Sequence, residues 1–152
     1  MSGFRWGRAG VLIGPSAGSG RACESEAALA AWLEGREAAV CEGRFSGSGT
    51  RKGWTRLSPA GAGGEAGGGA ARGYVEDLQA SVRAFAAWGA DLLVCVGGDG
   101  LASYAADAMI ASGRRMAMLG VAAGTINVGP IVSVGVEELE NGGLTPFVES
   151  AA

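Results

Sequence analysis

An open α/β sandwich on a parallel sheet is the fold class this sequence predicts, and three observations carry the prediction. Apolar runs at 10–13, 91–96 and 114–121 lack the alternation of a half-exposed strand, so they read as strands buried on both faces. Segments of helical periodicity alternate with these runs, which points to parallel pairing through right-handed crossovers. Glycine-bearing loops at 14–20, 97–100 and 124–129 follow the runs, at the strand ends where open α/β sheets bind their ligands.

The elements can be justified in order. "GVLIGPSAGSGR", residues 10–21, is a short apolar run broken by Gly14-Pro15 and followed by small residues, the pattern of a strand entering a glycine-rich loop. From Glu24 to Leu33 the positions Ala27, Ala28, Leu29, Trp32 and Leu33 fit one face of a helix that Gly35 can end. Residues 43–73 are rich in Gly, Ser and Thr, with "GAGGEAGGG" at 61–69, and read as a connection without elements of its own. Val75, Leu78, Val82 and Phe85 recur at spacings of three and four, a helix closed by Gly89 and joined by a short link to the strand Asp91–Val96. Leu101–Ser112 is a further helix with Ala105, Met109 and Ile110 inward, and "RRMAMLGV" at 114–121 is a second buried strand. A short helix at Val136–Glu140 and then turn residues make 134–152 read as an exit from the domain, a tail or linker.

Composition removes several function classes. The net charge is −3 and no Lys/Arg run occurs, so a nucleic-acid partner or an anionic membrane surface is not expected. Arg114-Arg115 follows a helix, where positive charge commonly meets the helix dipole. Cys23, Cys41 and Cys95 are far apart and form no C-x-x-C pair, which suggests neither a disulfide framework nor a zinc site and makes a reducing cytoplasm the simplest location. The apolar run after Arg5 and Arg8 is too short for a signal peptide or a membrane span. There is no histidine at all. Ser-His-Asp, Cys-His and H-E-x-x-H chemistry are thereby excluded, which leaves carboxylates, hydroxyls, arginines, backbone amides or a bound metal.

The residues that carry chemistry lie in the three loops. Gly97-Gly98 at a strand end lets main-chain N–H groups converge on an anion, and the helix starting near Leu101 adds its positive end to the same spot. Asp99 repels phosphate unless it holds Mg²⁺ or accepts a proton from an attacking hydroxyl, both parts of phosphoryl transfer. The plainer alternative is a tight turn in which Asp99 caps the helix. "GTIN", Gly124–Asn127, supplies a hydroxyl and a carboxamide able to bond phosphate, ribose or adenine, and "GPSAGSG" offers Ser16, Ser19 and further N–H groups. Neither loop is a Walker A motif, since the one lysine, Lys52, lies elsewhere. No cluster satisfies G-x-G-x-x-G followed by a distal acid, which argues against a dinucleotide-binding fold of that type. Trp32, Phe85 and Trp88 read as core anchors and Cys95 as an inert buried thiol, while Tyr104 fits either a pocket wall or a helix surface.

Together "GPSAGSGR", "VCVGGDG" and "GTIN" resemble, in order and strand-end placement, the N-P-x-S/A-G-x-G, G-G-D-G and G-T-x-N loops of the superfamily of NAD kinases, diacylglycerol kinases and sphingosine kinases. The stretch from Gly61 to Gly100 resembles most the ATP-NAD kinase branch that includes the acetoin-catabolism X proteins. The resemblance implies that residues 1–133 are an α/β nucleotide-binding kinase domain, with ATP or polyphosphate as donor, Mg²⁺ as metal and a hydroxyl of NAD as acceptor. It further implies that Gly97, Gly98 and Gly100 cradle phosphate and that Asp99 is the general base or the metal-linked carboxylate. Ser16, Gly18, Gly124, Thr125 and Asn127 would bind nucleotide. Two departures follow from the same comparison: Leu101 stands where the family usually has threonine, and the family's all-β second domain with its Asn-Glu/Asp motif has no counterpart in the chain. The partners the resemblance leaves open are a homo-oligomer or a β-rich partner domain, besides nucleotide small molecules. A lipid kinase of the diacylglycerol or sphingosine type, or a nucleotide-binding regulatory module without catalysis, are the competing readings.

Overall fold

The computed structural model describes residues 7–14, 21–47, 53–59, 73–122 and 132–134. In chain order the elements are β1 (Arg8–Ile13), α1 (Arg21–Trp32), β2 (Glu37–Cys41), β3 (Thr55–Leu57), α2 (Tyr74–Trp88), β4 (Leu92–Gly97), α3 (Asp99–Ala111), β5 (Ala117–Ala122) and β6 (Val132–Val134). The six strands form one sheet in the order β3-β2-β1-β4-β5-β6, and every pairing is parallel. The open parallel α/β architecture is as expected. Its strand order is also that of doubly wound dinucleotide-binding sheets. The missing G-x-G-x-x-G fingerprint therefore concerns how a ligand is held and does not carry over to the topology.

Strands β1 and β4 show why the sheet is buried on both sides. Ala9, Val11, Ile13, Val94 and Val96 project toward α1, together with Leu29 and Leu33. Leu12, Leu93 and Cys95 project the other way, under Leu78, Val82 and Phe85 of α2 and Leu101 and Ala105 of α3. Both sets are apolar because parallel strands covered by helices leave neither face to water. Gly10 interrupts the pattern for a packing reason: a Cβ there would lie 2.5 Å from Cγ of Phe85, so its absence lets the ring lie flat on β1. Burying that ring contributes about 1.5–3 kcal/mol.

Helix α2 matches its sequence reading closely. It ends on Gly89 in the left-handed region, φ 99°, whose N–H donates to the carbonyls of Phe85 and Ala86. Helices α1 and α3 lie slightly rotated from expectation. In α1, Ala27 is exposed and Glu26, not expected inside, is only 2% exposed. Glu26, Leu29 and Leu33 are spaced by three and four and so share the inward stripe, whereas Ala27 sits about 100° away from Glu26. In α3 the buried positions are Leu101, Ala102, Ala105 and Ala108. Met109 is half-buried, and Ile110, expected inward, is 75% exposed. After Leu101 in the first turn, small alanines and not the larger apolar residues form the contact face, which lets α3 lie close to β4 and α2.

Three strands were not anticipated. β2 was not distinguished from its surroundings, β3 falls in the 43–73 stretch expected to carry no element, and β6 spans the boundary expected after residue 133. β5 begins at Ala117, so Arg114 and Arg115 precede the strand and are exposed. The helix expected at 136–140 lies outside the described residues.

The amino edge of the sheet is fastened by polar contacts. Asp91 Oδ2 accepts from the N–H groups of Gly7 and Arg8 at 2.9 and 3.3 Å, and the Asp91 N–H donates to the Arg8 carbonyl. Arg8 donates to Glu37 at 2.7 Å and to the Trp88 carbonyl at 2.6 Å, with its guanidinium 5.1 Å from the Trp88 ring centre. Trp88 thus serves as an anchor for the edge, half-buried with its ring beneath a cation.

Candidate functional site

The carboxyl ends of β1, β4 and β5 stand side by side at one level. Ile13 pairs with Val96 and Gly97 with Ala122, so the loops that begin at Gly14, Gly98 and residue 123 leave the sheet from neighbouring points. The Gly14 N–H donates to the Val96 carbonyl at 2.8 Å, which pins the first glycine loop directly against the start of the second. β1 leads to α1 on one face of the sheet and β4 leads to α3 on the other. The chain directions diverge between them, and the crevice so formed is where open α/β sheets bind ligands. Sequence spacing alone put each loop after a strand; the register puts the strands next to one another.

Within this crevice the Gly97–Gly100 turn is described in full. Gly98 is the N-cap of α3 with φ −108° and ψ −172°, an extended conformation open to any residue. None of Gly97, Gly98 and Gly100 has positive φ, so unusual backbone angles are not why glycine stands there. Space is the better reason. Among the described residues a Cβ on Gly100 would meet nothing within 4 Å, which leaves an opening over the first turn of α3. The N–H groups of Asp99, Gly100 and Leu101 face the helix start without intrahelical acceptors, since the first bond of that turn runs from the Ala102 N–H to the Gly98 carbonyl. Those groups and the helix dipole favour an anion in the opening.

Gly97 has a different role. A Cβ there would sit 2.9 Å from Cδ2 of Leu101, and Leu101 itself is 5% exposed within the core beneath α3. The departure from threonine thus exchanges a hydroxyl for an apolar anchor that draws the first turn of α3 onto the end of β4.

Asp99 is the first residue of α3 and the acid of its first turn. The N-cap position belongs to Gly98, so Asp99 is not the helix cap of the plainer reading. Its carboxylate is half-buried, with Oδ1 fully covered. A carboxylate at this end of a helix is favoured by the dipole. Among the described residues no three His, Cys, Asp or Glu side chains gather into a metal site. Mg²⁺ is commonly bound through one or two carboxylates and the phosphates of the substrate, and Asp99 could supply one such carboxylate. Ser16, Gly18, Gly124, Thr125 and Asn127 lie outside the described residues.

Two groups at this edge were missed in the sequence. Glu26 reaches from α1 toward the end of β1: a Cβ on Gly47 would lie 2.8 Å from its Oε1 and 2.6 Å from Ile13 Cδ1. The available signal was an acid at a position three and seven residues before buried leucines. The second is an aromatic cluster. Tyr74 at the start of α2 meets Phe45 edge-on at 5.1 Å and Tyr104 of α3 at 6.1 Å, with the Arg44 guanidinium 5.9 Å from its ring centre. Burial raises the Tyr74 pKa above its ordinary value. Tyr104, left open between pocket and surface, is 46% exposed and takes part in this cluster.

The thiols are poor candidates for chemistry. Burial pushes Cys95 up to about 12 and Cys41 up to about 11, which keeps both protonated and unreactive at neutral pH. No described helix is long and apolar enough to cross a membrane.

Comparison with known proteins bears on the same segment. No curated protein and no solved structure matches the chain. The family model described as the diacylglycerol kinase catalytic domain matches residues 65–138, a span that includes α2, β4, the Gly97–Gly100 turn, α3, β5 and β6. The segment that supplies the β4 and β5 side of the crevice is therefore similar to a kinase catalytic domain, while the narrower likeness to the NAD kinase branch rests on the sequence of residues 61–100.

Proposed function

We propose that this chain carries the nucleotide-binding part of a kinase-type phosphotransferase that moves the γ-phosphoryl group of ATP to a hydroxyl. The observation that carries the proposal is the level convergence of the β1, β4 and β5 ends, with Asp99 at the head of α3 in their midst. The N–H groups of the first turn of α3 and the opening over Gly100 hold the phosphates. The acceptor oxygen attacks the γ-phosphorus, the bond to the β–γ bridging oxygen breaks, and ADP leaves. The acceptor proton passes to the Asp99 carboxylate, or Asp99 instead holds the metal. A bound Mg²⁺ would neutralise charge on the phosphates. Glycine loops at 14–20 and 124–129 complete the nucleotide contacts in this reading.

Two acceptors are supported by different observations. The likeness of the stretch Gly61–Gly100 to the ATP-NAD kinase branch favours a hydroxyl of NAD, and the family match favours a lipid hydroxyl of the diacylglycerol kind. The chain, alone and with a supplied β-rich domain, is to be incubated with ATP and Mg²⁺ and with either NAD or micellar diacylglycerol, and products followed by mass. NADP identifies the first acceptor and phosphatidate the second. ATP binding by calorimetry without turnover under any condition would identify a nucleotide-binding module without catalysis. A folded chain that binds no ATP, ADP or NAD at all would overturn the proposal.

A further inference from the structure

The opposite end of the sheet holds an open groove of about 700 Å³ between the C-terminal ends of α2 and α3. Its wall on α2 is Arg83, Ala86 and Ala87; its wall on α3 is Ala111, followed by Gly113 and Arg115. Gly113 turns the chain with φ 73°, and Ser112 fixes that turn by donating to the Met109 carbonyl and accepting from the Arg114 N–H. Three guanidinium groups are thus gathered in an acidic chain, and they are differently employed. Arg114 donates to the carbonyls of Ala90 and Gly89 and lies 3.6 Å from Asp91 Oδ1, so it is a structural brace. Arg83 and Arg115 make no hydrogen bond or ion pair within the protein among the described residues, and Asp107 of α3 pairs with neither.

Charge decides what such a groove accepts. Two helix C-termini end here, and each carries about half a negative charge. With Asp91 opposite Arg114, the negative side amounts to roughly two charges against three guanidiniums. A surplus of positive charge remains, in a recess whose other walls are alanine, glycine and Ser112, small residues that leave room for an anion beside both free forks. Arginine forks match phosphate geometry with paired hydrogen bonds. We propose that Arg83 and Arg115 form a second, non-catalytic binding site for a phosphate group, at the amino edge and remote from the Gly97–Gly100 turn. The groove does not depend on the phosphotransfer reading.

The phosphate has two sources, a soluble phosphorylated compound or a phospholipid headgroup, and the test separates them. The full chain is to be titrated at low salt with inorganic pyrophosphate, followed by the amide signals of Ala111 and Gly113, and sedimented with vesicles of phosphatidylcholine with and without phosphatidylglycerol. Binding should weaken by about tenfold or more in the double variant Arg83→Gln/Arg115→Gln, the scale of losing charge-assisted hydrogen bonds. The double variant Arg36→Gln/Arg56→Gln removes the same charge elsewhere and should bind like the parent chain. All four arginines are exposed, so circular dichroism should be unchanged in both. Pyrophosphate binding with this pattern assigns a soluble ligand, and vesicle binding with this pattern assigns a headgroup. Equal affinity of the two double variants for the probes, or no response of Ala111 and Gly113 to pyrophosphate together with no vesicle binding, overturns the site.

Discussion

The two edges of the sheet are built on opposite principles. At the amino edge, Asp91, Arg8, Glu37 and Arg114 tie β1, β2, β4 and the ends of α2 and α3 together, and Gly89 and Gly113 adopt left-handed conformations that close the helices. At the carboxyl edge, Gly97, Gly98 and Gly100 sit in ordinary conformations around Asp99, whereas Gly43 and Gly47, the latter beside the covered Glu26, make turns with positive φ. Glycine therefore has two meanings in one chain. At the amino edge it satisfies a turn, and at Gly100 it leaves space. The amino edge holds the strands in register, and the carboxyl edge uses that register to bring loops together.

If the two edges have separate roles, substitutions at one should leave the other's property intact. Asp99→Asn keeps size and hydrogen-bonding capacity but removes the charge, so turnover should fall by about 10² or more with nucleotide affinity within a few fold. Unchanged turnover in a product assay would remove Asp99 from the mechanism and leave the carboxyl edge without its acid.

Alkaline pH should act on both edges at once, because the thiols lie in the shared core. Their folded pKa values are raised, so the folded protein holds protons that the unfolded chain releases above the ordinary thiol value of 9.0. The contribution to stability is complete below that value and is lost as pH rises toward 11 and 12. From pH 9 to 10 the two thiols together should cost about 2 kcal/mol in denaturant titrations. Stability that is flat across this interval would contradict the burial of Cys41 and Cys95.

Asp91→Ala tests the amino edge by itself. It removes two partly exposed hydrogen bonds and one long ion pair, and should lower unfolding free energy by about 1–1.5 kcal/mol with little change in nucleotide affinity. A large loss of affinity without loss of stability would show that the two edges are coupled.

The smallest effect is also the most diagnostic. Gly100→Ala places a methyl where no described residue lies within 4 Å and replaces a poor helix former in the first turn of α3, so stability should rise by about 0.5–1 kcal/mol. Nucleotide affinity should fall several fold, because the methyl occupies the phosphate opening. If calorimetry shows affinity rising or unchanged along with stability, the opening is only surface.

What could be read in advance depended on how far each signal reached along the chain. Helix α2 was legible because its apolar stripe is made of Leu78, Val82 and Phe85 and its end is marked by Gly89. Helix α3 was legible as a helix and misread in rotation, since its contact face is alanine and Ile110 is a larger but exposed apolar residue. β2 and β3 gave too little pattern: "EAAVC" is half alanine-sized, and three residues at a sheet edge carry no periodicity. Glu26 was hidden because an acid in a helix reads as a solvated face unless its neighbours at +3 and +7 are known to be buried.

By itself, the sequence determined the local features: the helical stripes, the left-handed glycine closures, the both-face apolarity of β1 and β4, and the Gly-Gly-Asp-Gly turn at a strand end. These are set by backbone geometry and near neighbours, within a turn or two of the residues concerned. Tertiary structure alone decided the strand order β3-β2-β1-β4-β5-β6, the common level of Ile13, Val96 and Val121, the covering of Glu26 and the placing of Arg83 and Arg115 along one groove. Those depend on which distant segments pair. Apolar strands of similar composition can pair in many orders, and the choice among them is made by the packing of both faces of the sheet at once.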